Sequence, residues 1–178
     1  MPNRIVEAAK RLQEYILESG LASSILSLPA PRMLSLPTST SEDSAATGVF
    51  TVTVTEKEIV DVSRDLFASG HYSLSVQEAY KAVDKFVSDK ISSSLSGTQL
   101  MNHVFGSGTP ILCWSDRQTQ SELDEQKGYH FLFSGAMIGI RNPVTHEFDW
   151  VDDPEIALEL LVFAQHLLRK ARLAKAVA

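Results

Sequence analysis

The sequence predicts a mainly α-helical protein: an up-and-down bundle of four to five helices, with an N-terminal helix, a linker and a small β element attached. Three observations predict it. From Glu56 onward, apolar residues recur at the three-and-four spacing of a helix face. Start and stop signals such as Gly70 and Asp153-Pro154 punctuate those stripes. The connections between them are short, as antiparallel neighbours in a bundle require.

Asn3 to Leu17 carries Ile5, Ala8, Ala9, Leu12, Tyr15 and Ile16 on one side, which is the pattern of an amphipathic helix in need of a docking surface. Ser24 to Thr47 brings prolines together with many Ser and Thr residues and reads as a linker. The domain boundary is therefore expected at position 47, with residues 1–47 an N-terminal helix plus linker and residues 48–178 the helical body. Val49 to Thr55 alternates threonine with apolar residues as a half-buried strand would, and Pro110 to Trp114 is the local segment expected to pair with it.

Ile59, Val62, Leu66 and Phe67 form the next stripe, which ends at Gly70, a residue suited to a helix C-terminal cap. Ser75-Val-Gln-Glu78 has the spacing of a capping box and predicts a helix start, with Val76, Tyr80, Val83, Val87 and Ile91 inward. A short apolar helix, Gln99 to Phe105, follows Gly97. The charged stretch Glu122 to Lys127 leads into a helix on which Gly128, Leu132, Gly135, Ala136 and Gly139 share one face, an arrangement expected to let a second helix approach closely. Three glycines in one helix cost about 1 kcal/mol each relative to alanine, so close packing is the expected compensation. Asn142 precedes Pro143 and is expected to end this helix. Asp153 before Pro154 starts the last one, Glu155 to about Lys175, whose Leu-Leu-Val-Phe-Ala run is apolar on several sides.

The 178 residues and 44% hydrophobic content suffice for a sizeable core. No apolar run reaches the roughly 18 residues needed to span a bilayer, and the first residues lack the apolar core of a signal peptide, so a soluble cytoplasmic protein without a membrane partner is expected. Cys113 is the single cysteine. It can form neither an internal disulfide nor a cysteine-clustered zinc site, and its apolar setting reads as buried and inert. A net charge of −6 and a pI near 5.3 oppose broad electrostatic binding of nucleic acid, so any RNA contact must be local.

The polar residues that could carry chemistry centre on Arg141-Asn142-Pro143-Val144-Thr145-His146. The Arg141 guanidinium suits a phosphate or carboxylate, His146 can exchange a proton, and Asn142 can brace the turn. Taken alone, an arginine at a helix end and a surface histidine are the ordinary reading of such a pair. His71 follows a helix end, where capping or packing explains it. Glu78 and Lys81, three apart, form a solvated ion pair on the simplest view. His103, His130 and His166 show no spacing that specifies a metal, so neither a metal nor another cofactor is expected.

Arg141-Asn142-Pro143 through His146, preceded by Leu132-Phe133-x-Gly135-Ala136, resembles the Arg-x4-6-His signature of the HEPN superfamily of small helical domains. Leu66-Phe67-x-x-Gly70-His71-Tyr72, followed by Val76-x-Glu78-Ala79-x-Lys81-Ala82, looks like the first paired helices of its Ymh-type, phage- and defence-linked branch. The resemblance spans roughly Glu56 to Leu173. It implies a HEPN-like bundle and a metal-independent endoribonuclease of toxin or phage-defence type, in which Arg141 holds the scissile phosphate and His146 moves a proton. Asn142 would orient the turn, and His71, Glu78 and Lys81 would lie near the cleft. It also implies a homodimer with composite sites, an RNA substrate, products ending in 2′,3′-cyclic phosphate and 5′-hydroxyl, and an antitoxin or defence-system partner. Some HEPN domains are binding or regulatory modules, and that alternative stays open.

Overall fold

The computed structural model describes residues 41–106, 108–147 and 150–177. The amphipathic helix expected over Asn3 to Leu17 lies outside them, as does the linker up to position 40. Among the described residues the chain is a helical bundle with a two-stranded antiparallel sheet. In order come α1 (Ser41–Thr53), α2 (Lys57–Ala68), α3 (Tyr72–Lys90), α4 (Gly97–Phe105), β1 (Leu112–Cys113), α5 (Gln120–Ala136), a π-helical turn (Met137–Arg141), α6 (Asn142–His146), α7 (Pro154–Leu173) and β2 (Lys175–Ala176). No helix among the described residues is long and apolar enough to cross a membrane.

The segment expected as a strand, Val49 to Thr55, is overturned: it forms the end of α1 and the turn after it. Phe50 and Val54 fit both periods, but Ala46 completes their spacing as i, i+4, i+8, and all three are buried. Val52, which an alternating strand would place on their face, is 77% exposed. The threonines adapt because their hydroxyls bond the preceding turn, Thr51 Oγ1 to the Thr47 carbonyl at 2.9 Å and Thr53 Oγ1 to that of Val49 at 2.7 Å. Helix α1 runs through position 47.

Buried Gln165 of α7 ties α1 to α2. Its Oε1 accepts the N–H groups of Thr55 (2.6 Å) and Glu56 (2.9 Å), and its Nε2 donates to the Thr53 carbonyl at 3.0 Å. These bonds satisfy backbone groups freed where one helix ends and the next begins.

Helix α2 closes as expected at Gly70, whose φ of 76° is available to glycine without strain. The Gly70 N–H donates to the Phe67 carbonyl (3.1 Å) and the His71 N–H to that of Leu66 (2.9 Å), a Schellman closure. The capping box expected at Ser75 does not form. Helix α3 has already begun at Tyr72, and Ser75 is buried with its hydroxyl donating across to the Ser63 carbonyl at 3.0 Å. Tertiary pairing of α2 with α3 has claimed the side chain.

Helices α3 and α7 form the centre. Tyr80, Val83 and Val87 meet Leu161, Ala164 and Leu168, all of them inaccessible to solvent. The broad apolar surface of α7 is thus core, packed against α1, α2 and α3. Phe50, Phe67 and Tyr72 make one aromatic cluster; Phe105, Trp114 and Phe133 make another, stacked at 4.6–6.1 Å. Burying each of the four phenylalanine rings, which are almost inaccessible, contributes about 1.5–3 kcal/mol.

Leu112 and Cys113 do form a strand, but their partner is the C-terminal tail, Leu112 opposite Ala176 and Cys113 opposite Lys175. Cys113 is buried and burial pushes its thiol up, away from thiolate chemistry. At the other end of α7, Asp153 caps the first turn through the N–H groups of Glu155 and Ile156, as its place before Pro154 predicted.

The glycine-faced helix is right in its existence and wrong in its packing. Helix α5 starts at Thr119 with a capping box to Glu122, and its inward residues are Gln126, Phe133, Ser134 and Ala136. Gly128, Gly135 and Gly139 are exposed, with open space where side chains would stand. They share that outward side with Phe131, Leu132 and Ile138, which are 59%, 44% and 57% exposed.

Candidate functional site

Asn142 does not end the helix. The backbone stays helical through Pro143 because the ladder widens just before it: the Asn142 N–H reaches back five residues to the Met137 carbonyl. A proline inside a regular helix would crowd the carbonyl four residues earlier and lack the bond to it. The π-helical turn Met137–Arg141 relieves both conflicts and places Pro143 in the first turn of α6. Single π-helical turns inside α-helices are rare and are frequently found at functional sites. Within α6 the Thr145 hydroxyl donates to the Arg141 carbonyl at 2.7 Å, and the helix ends with the Glu147 N–H donating to the Pro143 carbonyl at 2.9 Å.

Arg141, the last residue of that widened turn, reaches the start of α4. One guanidinium nitrogen lies 3.6 Å from where a side chain on Gly97 would begin. Gly97 has φ 59°, so glycine serves the backbone there as well as the space. Its N–H donates to Asp84 Oδ1 at 2.7 Å, and Asp84, on α3, is only 7% exposed. Burial pushes the Asp84 carboxyl up from its ordinary value, while the Gly97 N–H and the charge of Arg141 pull it down. The Arg141 Nε is buried and has no hydrogen-bond partner among the described residues. His130 Nδ1 is the other buried side-chain atom without a partner among the described residues.

His146 is exposed at the end of α6 and lines a different space, a cavity of about 390 Å³ between two walls. One wall is the junction at Gly70 and His71 with the first turns of α3, including Tyr72, Ser73 and Gln77; the other holds Val144, Thr145, His146 and Glu147 together with Val151 and Asp152. Buried Val144 and Val151 support the second wall, and the Val151 N–H donates to Ser73 Oγ at 2.9 Å, which fixes one wall against the other. Arg141 does not line this cavity. The structure therefore brings His71 and His146 together, and sets Arg141 beside Asp84 and Gly97.

Half-buried Asn142 stands between the two places on the helix. Glu78 and Lys81 pair with each other on the surface of α3, Lys81 Nζ to Glu78 Oε1 at 2.7 Å. Of the remaining histidines, His130 meets the Asn102 side chain at 2.8 Å and is held below the usual imidazole range by burial, while His166 meets the Tyr129 hydroxyl at 2.9 Å.

Asp84 is the residue that the sequence reading passed over. Its signal was present: it follows Tyr80 by four, which puts a carboxylate on the inward stripe of α3 where its neighbours Val83 and Val87 are buried. An acidic residue on an apolar stripe must be paired or capping something.

A family model described as "Protein of unknown function (Hypoth_ymh)" matches residues 54–171, and the chain belongs to that family. The matched span includes Asp84, Gly97, Arg141 and both cavity histidines. No curated protein and no solved structure matches the chain.

Proposed function

We propose that the protein is a cytoplasmic, metal-independent endoribonuclease of HEPN type, with a toxin or phage-defence role. Arg141 holds the scissile phosphate and His146 transfers a proton, while the RNA supplies its own 2′-hydroxyl as nucleophile. The observation that carries this reading is the state of Arg141: a guanidinium set on a π-helical turn, with a buried donor lacking an acceptor, five residues before an exposed histidine on a cavity. A guanidinium beside the phosphate offsets charge building on its oxygens, and a positioned imidazole supplies the proton transfer.

Helix geometry adds a condition. Five residues on a helix turn a side chain by about 140° and advance it by about 7.5 Å, so one chain presents Arg141 and His146 to different sides. A two-fold homodimer with Arg141 of one copy and His146 of the other at one phosphate meets that condition. The outward stripe of Phe131, Leu132 and Ile138, with the open glycines beside it, is the surface that supports such pairing.

A second reading has its own observation. The charge of Arg141 acts on buried Asp84, which favours a structural guanidinium in a HEPN-like binding or regulatory module that meets an antitoxin, a defence-system partner, nucleotide or RNA without cutting it. Cleavage of single-stranded RNA in EDTA, with 2′,3′-cyclic phosphate ends, separates the two: the nuclease produces those ends and the module leaves the RNA whole.

A further inference from the structure

We propose that His71 is the second proton-transfer group of this reaction, working with His146 at the cavity that both line. The inference rests on the ribonuclease reading above and adds to it a residue and a subsite. Attack by a 2′-hydroxyl needs two proton transfers. A base takes the 2′-hydroxyl proton as the bond from O2′ to phosphorus forms, and an acid gives a proton to O5′ as its bond to phosphorus breaks. The products are a 2′,3′-cyclic phosphate and a 5′-hydroxyl, with no net proton gained or lost. One imidazole cannot be the base and the acid in the same step, so His146 alone serves only one end.

The cavity supplies the other imidazole. His71 is exposed on the opposing wall and its side chain caps nothing, although it occupies the position before α3. Its place is fixed from the backbone: the Schellman closure at Gly70 holds its N–H against the Leu66 carbonyl, and the bond from Val151 to Ser73 holds the two walls together. The ring is thus presented by a rigid junction and committed to no structural bond there. Glu147 and Asp152 also line the cavity and are the carboxylates that could take over a proton-transfer role.

The test uses the full chain in EDTA with two substrates, a single-stranded RNA and uridine 3′-(4-nitrophenyl phosphate), whose leaving group departs without an acid. His71→Ala and His146→Ala should each slow RNA cleavage by about 100- to 10,000-fold. One of the two variants, the one that lost the acid, should keep near wild-type rates on the nitrophenyl substrate. Equal loss on both substrates for both variants would reduce His71 to a positioning residue and overturn the proposal. So would a His71→Ala protein that cuts RNA within a few-fold of wild type, or one spared while Glu147→Gln or Asp152→Asn is not; in those cases the ribonuclease reading survives. A wild-type protein inert toward both substrates sinks that reading and this inference with it. A measurement on the unaltered chain guards against misfolded variants: a uridine–vanadate complex should protect both His71 and His146 from diethyl pyrocarbonate, and protection of His146 alone would overturn the pairing.

Discussion

Asp84 Oδ1 accepts the backbone N–H of Gly97 at 2.7 Å, so a buried carboxylate of α3 caps the first turn of α4. A helix N-terminus favours negative charge, yet burial pushes this carboxyl up on balance. A carboxyl raised in the folded state contributes stability that is fully present below its ordinary value of 3.8 and is lost as pH rises through the folded value. At neutral pH its ionisation therefore opposes folding. Asp84→Asn keeps an oxygen acceptor without the charge, and thermal unfolding at pH 7 should show equal or higher stability than wild type, with the difference closing toward acid pH. Asp84→Leu leaves the Gly97 N–H unpaired and should cost about 1–3 kcal/mol.

The residues that announced the fold are those whose local chemistry has one solution. Gly70 ends α2 because its positive φ suits no other residue as well, and Asp153 before Pro154 starts α7 for reasons contained in those two residues. What could not be read was decided by distant partners. Phe50 and Val54 satisfy both a strand and a helix, and Gln165 supplies the bonds that end α1 where it does. Ser75 looks like a cap until Ser63 is placed opposite it. Arg141 and His146 were legible as a motif, but their divergent directions follow from the helix continuing through Pro143, which the widened turn from Met137 to Arg141 permits. For His71 the residues themselves suggested only capping or packing after a helix end, and the family resemblance placed it near the cleft; that it shares a cavity with His146 depends on contacts between segments far apart in the sequence.

Gln165 should be the most sensitive buried polar residue outside the site. Gln165→Leu preserves bulk but strands the N–H groups of Thr55 and Glu56 and the carbonyl of Thr53. The expected cost is about 1–3 kcal/mol, read as a drop in Tm of about 2–4 °C for each kcal/mol in a chain of this size. An unchanged Tm would mean that water replaces the side chain at this junction.

Acid stability should report on Glu56. Its carboxylate binds Arg169 Nε and a guanidinium nitrogen of Arg172, both at 2.6 Å, and these bonds hold it below its ordinary value of 4.5. A depressed carboxyl contributes stability present above that ordinary value and lost as pH falls through the folded one. Urea midpoints measured from pH 7 downward should fall less steeply in Glu56→Gln than in wild type. Parallel curves would show that the pair is screened by solvent to no net effect.

The outward stripe of α5 and the π-helical turn makes a distinct prediction. If two copies pair there, light scattering at micromolar concentration should give a dimer for wild type and a monomer for Ile138→Asp or Leu132→Asp. Both positions are exposed, so a charge there should leave the melting of the isolated fold nearly unchanged. A wild-type monomer at all concentrations would remove the composite site.

Arg141 and His146 carry the sharpest chemical prediction, since the proposed mechanism assigns them roles that fail in different ways. Single-stranded RNA incubated with the protein in EDTA should give 2′,3′-cyclic phosphate and 5′-hydroxyl ends, while the same sequence in DNA, lacking the attacking hydroxyl, should survive. His146→Ala removes one proton transfer and should slow cutting by about 100- to 10,000-fold. Arg141→Ala removes the charge that offsets the phosphate oxygens, and should lower the rate by a comparable factor of about 100- to 1,000-fold. It also withdraws a positive charge from Asp84, so its Tm must be measured alongside; pairing it with Asp84→Asn removes that electrostatic cost and isolates the catalytic loss. If the double variant Arg141→Ala, Asp84→Asn regains both stability and cutting, the guanidinium serves the fold and the phosphate anchor lies elsewhere. If stability returns and cutting does not, Arg141 acts on the RNA.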